Sequence, residues 1–174
     1  MTISKKCAGL TLLEILIILA LMGVFLSLAL SSYGEIISEH RPEFALKQLK
    51  RALALARTQA ASTGSKTTIC HLDNNRCTAN AWHKEVTVFI DRGELKVLDK
   101  DDVRLYELPA IPKQDSLAYP RPAIIFNYDA SIRGFTNGTF IYCLAEQNDE
   151  SKGLEMSVSN AGRARIRDTD KCPL

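Results

Sequence analysis

Residues 10–30 read LTLLEILIILALMGVFLSLAL, and this stretch decides how the chain is organised. Only Thr11, Glu14, Gly23 and Ser27 interrupt its run of apolar side chains. A helix needs about 20 mostly apolar residues to span a bilayer. The apolar region of a secretory signal is shorter, at about 7–15 residues. The stretch therefore predicts a membrane helix rather than an ordinary signal peptide.

Charged residues lie at the N-terminal end of this predicted helix. Lys5 and Lys6 precede it, as is typical of the cytoplasmic side of a membrane helix. Glu14 is unusual there, because a carboxylate that reaches the bilayer centre costs up to about 2.5–3.5 kcal/mol. We therefore expect Glu14 to lie near the interface or to have a function. A plain signal anchor with an incidental glutamate is the alternative.

The N-terminus resembles that of type IV prepilins, with a short basic leader that ends at Gly9, an apolar helix, and Glu14 at the fifth position after that glycine. The resemblance implies that the prepilin peptidase cleaves after Gly9 and methylates Leu10. It also implies that Glu14 pairs with the N-terminal amine of another pilin subunit. A buried carboxylate and ammonium cost less together than either does alone. Leu10 departs from the Phe or Met that is more usual in the family.

The rest of the chain divides into helix and head. We predict a cleaved leader over 1–9 and one long helix over 10–61, kinked near Pro42, with 10–34 in the membrane or filament core and 35–61 amphipathic. The apolar residues of the second half follow helical spacing; they are Ala45, Leu49, Ala52, Leu53, Ala56 and Ala60. Residues 62–174 form the head. The fold class is α+β, the type IV pilin fold, in which a long kinked N-terminal helix packs on an antiparallel sheet.

The head is rich in short segments typical of β-strands, spaced by roughly 8–15 residues. They are 67–69, 86–91, 95–98, 103–106, 124–126, 139–142, 154–158 and 162–167. Asn137-Gly138 lies between two of them and favours a tight hairpin turn. The spacing predicts antiparallel sheet.

The chain has five cysteines, of which Cys7 lies in the leader. The other four belong to a head that faces the periplasm or the exterior, where disulfides form. Four cysteines allow three pairings. We favour Cys70–Cys77, which closes a short polar loop, and Cys143–Cys172, which ties down the C-terminal tail. The competing interpretation is a zinc site. Its ligands would be Cys70, His71, Cys77 and His83, but their spacing lacks the usual cysteine clip.

Catalytic signatures are missing from the sequence. It has no phosphate-binding loop, no nucleophile elbow and no zinc-protease motif. The acidic run that starts at Asp99 does not fit a calcium-binding loop, because Arg104 and Ala110 stand where Gly and Glu are needed. We therefore expect a protein that is not an enzyme and that has no cofactor or metal.

The C-terminal segment GRARIR, residues 162–167, is the most informative part of the head. Alternate residues of a strand share a face, so Arg163, Arg165 and Arg167 would lie together, about 6.6–6.8 Å apart. Guanidinium groups bind phosphate through paired hydrogen bonds. Lys171 can extend this row to four cations. The alternative is a solvated strand face, which is the common role of such charge runs.

The overall charge gives little attraction for a polyanion. The formal net charge is +2, and the leader carries Lys5 and Lys6 with no acid, so the processed chain has 20 basic and 20 acidic side chains. Any attraction for nucleic acid must therefore come from the placement of the arginines.

The head resembles the FimT/GspH family of minor pilins and type II secretion pseudopilins. The resemblance rests on Trp82, on 125–127 before Gly134, on 138–140 leading to Cys143, and on 158–163. Some FimT-like minor pilins are DNA receptors that use a C-terminal Gly-Arg-x-Arg motif, which Gly162, Arg163, Ala164 and Arg165 match.

The resemblance implies a minor pilin that binds double-stranded DNA for natural transformation. Its other partners would be pilin subunits and the prepilin peptidase. It would span the bacterial inner membrane once, with its head in the periplasm, and then enter the pilus. Two alternatives need no DNA contact: a structural minor pilin that primes pilus assembly, and a type II secretion pseudopilin.

Overall fold

The structure is a computed structural model that describes residues 11–144 and 153–172, with the side chains of 28–39 outside that description. Gly9 and Leu10, which the sequence assigns to leader cleavage and methylation, lie outside the described residues. The chain divides into two compact units, Met1–Arg41 and Pro42–Leu174.

One α-helix, α1, runs over Leu12–Thr63 and contains Pro42. Thr11 caps its start, because the Glu14 backbone N–H donates to Thr11 Oγ1 at 3.3 Å. Thr11 and Glu14 thus have the spacing of a capping box. Glu14 also lies in the first turn, where the helix dipole favours a carboxylate. The structure therefore gives Glu14 a local role beside the assembly role that the prepilin resemblance implies.

Within the first unit, the large apolar side chains from Leu12 to Leu26 are between 42% and 77% exposed. Among the residues that the structure describes, no helix combines the length and the apolar character needed to cross a membrane. The membrane assignment of residues 10–34 stays a prediction.

The second unit packs its share of α1 against the strands. The buried helix residues repeat every three or four positions, as an amphipathic helix requires; they are Leu46, Leu49, Leu53, Ala56 and Ala60. They share one core with Phe126 of one sheet and Phe140 and Met156 of another. The α+β fold class is therefore confirmed.

The described head contains ten strands. They are β1 (Lys66–Cys70), β2 (Leu72–Asp73), β3 (Arg76–Cys77), β4 (Val86–Asp91), β5 (Val103–Leu108), β6 (Ser116–Ala118), β7 (Ile124–Phe126), β8 (Gly138–Cys143), β9 (Gly153–Val158) and β10 (Ala164–Thr169). Their pairings are antiparallel. The strand orders are β5-β4-β1-β7 and β10-β9-β8-β6, with β2-β3 as a separate pair. β10 is thus an edge strand.

Two local predictions were wrong. Residues 95–98 do not form a strand, because Lys96 has a φ of 68° that breaks the extended chain, and Val97 makes only an isolated bridge with Arg76. Asn137-Gly138 is not a hairpin turn, because β7 and β8 belong to different sheets. Gly138 is required for another reason: a Cβ there would lie 2.9 Å from Pro120 Cγ.

Candidate nucleic-acid interface

The hairpin of β9 and β10 presents the arginine segment. Its turn closes through hydrogen bonds from Ser159 N–H to the Arg163 carbonyl at 3.0 Å and from Gly162 N–H to the Ser159 carbonyl at 2.8 Å. Gly162 has a φ of 70°, a backbone conformation that glycine adopts without strain. A Cβ at this position would lie 2.7 Å from Phe126 Cε1. Gly162 therefore holds the turn in place and sets where the arginines begin.

The strand alternates as expected. Arg163, Arg165 and Arg167 are exposed, whereas Ala164 and Ile166 are half-buried and pack against the main core. Because β10 is an edge strand, the arginine face meets solvent both above the sheet and along its border. Local geometry therefore brings the three guanidinium groups to one surface.

Glu155 separates this row into two groups. It pairs with Arg167 across β9 and β10, and its side chain is only 2% exposed. Arg167 Nε donates to Glu155 Oε1. Lys171 Nζ and Thr169 Oγ1 donate to Glu155 Oε2 at 2.9 Å and 3.1 Å. The structure therefore pairs both Arg167 and Lys171, which the sequence assigned to DNA binding, with one buried carboxylate, and the three groups together keep one positive charge.

The electrostatic consequence shows in the pKa of Glu155. The hydrogen bond from Lys171, followed by that from Arg167, lowers this pKa to about 2. Glu155 is therefore ionised at physiological pH, the state in which it accepts hydrogen bonds from both cations. The sequence predicts that Glu155 and Arg167 lie on neighbouring strands. Only the register of β9 and β10 shows that they face each other.

Arg163 and Arg165 remain available. Neither guanidinium has an acidic partner among residues 11–144 and 153–172. The backbone N–H of Arg163 donates to Ser159 Oγ at 3.2 Å, which fixes the strand start without occupying the side chain. These two arginines form the exposed cationic pair of the site, which we call the arginine pair.

Two disulfides cross-link the head, Cys70–Cys77 and Cys143–Cys172, and both pairings predicted from the sequence are confirmed. Cys143 and Cys172 join across a Cα–Cα distance of 5.7 Å, and Cys70 and Cys77 across 5.5 Å. The first ties the tail that carries Lys171 to strand β8. The second removes both thiolates from the zinc alternative, which therefore has too few ligands.

Comparisons with known proteins agree with this architecture. The model of the family described as type II transport protein GspH matches residues 45–162, more than half of the chain. The fold is similar to a crystal structure of the type IV minor pilin FimU of Pseudomonas aeruginosa, with a TM-score of 0.58 and 19% identity over 78% of this chain and 94% of that one.

A second similar structure is the minor pseudopilin EpsH from the type 2 secretion system of Vibrio cholerae. Its TM-score is 0.51, with 11% identity over 73% of this chain and 96% of that one. The comparison with curated proteins gave no match. The two structures show the shared fold, in which an α-helix packs on antiparallel sheets.

Proposed function

The chain belongs to the GspH family, and we propose that it is a pilus protein that binds double-stranded DNA for natural transformation. The family gives the premise, that of a minor pilin or pseudopilin of a type IV pilus or type II secretion system. Its head adsorbs DNA near the pilus tip, and retraction of the filament draws the DNA inward. Partner pilin subunits hold it in the filament.

The observation that carries the proposal is the arginine pair. Arg163, one residue before the edge strand β10, and Arg165, within it, are exposed and lack acidic partners within the described residues, while Glu155 pairs with Arg167 and Lys171. Two phosphate contacts predict weak binding whose log–log salt slope is about −1.8. Little sequence preference is expected, because phosphate contacts position a protein without reading bases.

The N-terminal part of the proposal concerns anchoring. Residues 10–34 hold the chain in the inner membrane before assembly, the prepilin peptidase cleaves after Gly9 and methylates Leu10, and Glu14 then meets the amine of a neighbouring subunit. The apolar side chains exposed from Leu12 to Leu26 support this, because a helix surface of that kind needs lipid or other helices to cover it. The head lies in the periplasm before the protein enters the pilus.

A structural pilin or pseudopilin that binds no DNA is the second candidate. It is favoured by one observation: the family match ends at residue 162, directly before the arginine pair. Family membership alone therefore does not account for Arg163 and Arg165.

The test uses the full chain in detergent and a DNA duplex of arbitrary sequence. Binding is measured by fluorescence anisotropy over a series of salt concentrations for the wild type and for Arg163→Gln/Arg165→Gln. Lys84→Gln/Lys100→Gln is the matched control, since it removes two exposed cations elsewhere on the head. Loss of binding in the arginine variant alone supports the proposal.

The same arginine variant is then tested in cells. We expect it to lose transformation and to keep its pili. Equal DNA binding by the arginine variant and the wild type would refute the DNA role, as would a wild type that does not bind. Loss of pili together with transformation would favour the structural candidate.

A further inference from the structure

A groove runs beside the arginine hairpin, between α1 and the turn of β9 and β10. Its volume is about 410 Å³. Lys50, Ala54 and Arg57 line its helix side, and Ala130, Gly162 and Ala164 line the opposite side. The groove thus includes the two residues of the hairpin, Gly162 and Ala164, that directly precede Arg163 and Arg165.

Small residues keep this groove open. Ala54, Ala130 and Ala164 carry only a methyl group, and Gly162 carries none. Arg57 is half-buried, and its Cδ would be 3.3 Å from a Cβ at Gly162. The aliphatic part of Arg57 therefore lies against the hairpin turn, so the helix face that carries Lys50 and Arg57 is close to the hairpin.

The groove is cationic. Lys50 and Arg57 have no acidic partner in the part of the chain that the structure describes, whereas Lys47 on the same helix pairs with Glu43 at 2.7 Å. None of the residues that line the groove carries a carboxylate. Asp129 precedes the lining residue Ala130 in the sequence, and its Oδ1 accepts hydrogen bonds from the backbone N–H and the hydroxyl of Ser131.

The cations of the helix form a row of their own. Lys50 and Arg57 are seven residues apart, which on an α-helix is about two turns, or about 10.5 Å. The arginine pair lies on the other side of the Gly162–Ala164 wall. The arginine pair alternates with Gly162 and Ala164, so it lies on the face of the hairpin opposite the groove. A two-stranded ribbon can enter the major groove of DNA, which has a phosphate strand along each side, so one duplex can contact cations on both faces.

We infer that the groove is a second phosphate-binding element of the DNA site, in which Lys50 and Arg57 contact the sugar–phosphate strand opposite the one held by the arginine pair. The inference rests on the proposed function and adds the helix to it. It raises the number of phosphate contacts from two to four. The log–log salt slope for the wild type then becomes about −3.6 in place of about −1.8.

The experiment uses the full chain in detergent and a 30-base-pair duplex, with binding measured by anisotropy over a salt series. Lys50→Gln/Arg57→Gln removes the cations of the groove. Lys47→Gln/Arg51→Gln is the matched control, because it removes two cations of the same helix that do not line the groove. At 0.15 M salt each lost phosphate contact lowers affinity by about fivefold, so we expect about a 30-fold loss for the groove variant and a slope shallower by about 1.8. The control should stay within about twofold.

Ala54→Glu provides a second, independent variant. It adds a carboxylate to the wall of the groove while both cations stay, and Ala54 is exposed, so folding is not disturbed. We expect a loss of about fivefold or more. The near-ultraviolet circular dichroism of each variant is compared with that of the wild type, and only variants with the native spectrum are scored.

The outcomes separate the two proposals. If the groove variant binds like the wild type while Arg163→Gln/Arg165→Gln loses binding, the inference is wrong and the proposed function stands. Equal losses in both helix variants would show an effect of bulk charge and also overturn it. A groove variant that keeps its DNA affinity but no longer enters pili would show that a protein partner occupies the groove. A wild type that does not bind DNA would refute the proposed function itself.

Discussion

Replacing Glu155 by Gln will lower the free energy of unfolding of the head. It will also make that free energy less dependent on pH in the acid range. Glu155 accepts hydrogen bonds from Arg167, Lys171 and Thr169, and its side chain is 2% exposed. Glutamine has the same shape but no charge, and it turns an N–H donor toward groups that are themselves donors. The variant therefore loses the charge-assisted bonds without creating a cavity.

The magnitude follows from the pKa of Glu155, which is lowered from the usual 4.5 to about 2. Each pKa unit corresponds to about 1.4 kcal/mol, which sets an upper limit of roughly 3 to 4 kcal/mol. Arg167 and Lys171 are 68% and 61% exposed, so solvent screens the pairs, and we expect about 2 kcal/mol.

The lowered pKa of Glu155 also sets the direction in which stability changes with pH. A carboxylate whose pKa is lower in the folded state stabilises the protein above its unfolded pKa. That contribution is complete above about pH 5 and is lost as the pH falls toward about 2. The wild type should lose this free energy of unfolding between those two values, and Glu155→Gln should not.

Urea unfolding followed by fluorescence measures this difference. The chain has one tryptophan, Trp82, which is 2% exposed and donates to the Arg121 carbonyl at 2.7 Å, so its emission reports on the core. Glu107→Gln is the control, because its pair with Arg104 is exposed and is expected to contribute less than about 1 kcal/mol.

Equal stability of Glu155→Gln and the wild type at pH 7 would contradict this prediction. An equal loss of the free energy of unfolding in both proteins between pH 5 and pH 2 would contradict it as well. Either result would mean that the ion pairs of Glu155 contribute no more than exposed ones do.

Three further predictions concern the hairpin and the tail that follows it. Gly162→Ala should lower stability by about 2 kcal/mol in thermal unfolding, because the residue has a positive φ and no room for a Cβ. Arg165→Gln should weaken DNA binding about fivefold at 0.15 M salt, whereas Arg167→Gln, which removes a guanidinium already hydrogen-bonded to Glu155, should stay within about twofold in the same anisotropy assay. Cys143→Ala/Cys172→Ala opens a closed loop with a sequence separation of 29 and should cost about 3.5 kcal/mol, with reduction of the wild type lowering stability in the same direction.

Local periodicity made the helix and most strands predictable from sequence. The buried stripe from Leu49 to Ala60 repeats at helical spacing, and its members lie in the core. The alternation of Arg163 to Arg167 likewise depends only on neighbouring residues. In both cases the signal is carried by residues within a few positions of each other, where the chain geometry alone fixes which side chains share a face.

Features that depend on distant contacts could not be predicted. The backbone of Lys96 is held at a positive φ while its carbonyl accepts from Cys77 N–H and its N–H donates to Asp91, and no local pattern shows this. Glu155 and Arg167 sat on two predicted strands, yet only the register of β9 and β10 reveals that they meet. The sequence therefore indicated four cations where the fold leaves two exposed without an acidic partner among the described residues.

The edge strand β10 also has a mechanical property. A strand at the border of a sheet separates most easily from a free end, one pair of residues at a time. β10 has no such end, because a tight turn closes it at Gly162 and the Cys143–Cys172 bond anchors the tail three residues beyond Thr169. Tension applied at Arg165 must therefore break its pairing with β9 all at once rather than unzip it. If the proposed function is right, a surface built in this way would keep its shape while a retracting filament pulls on the bound DNA.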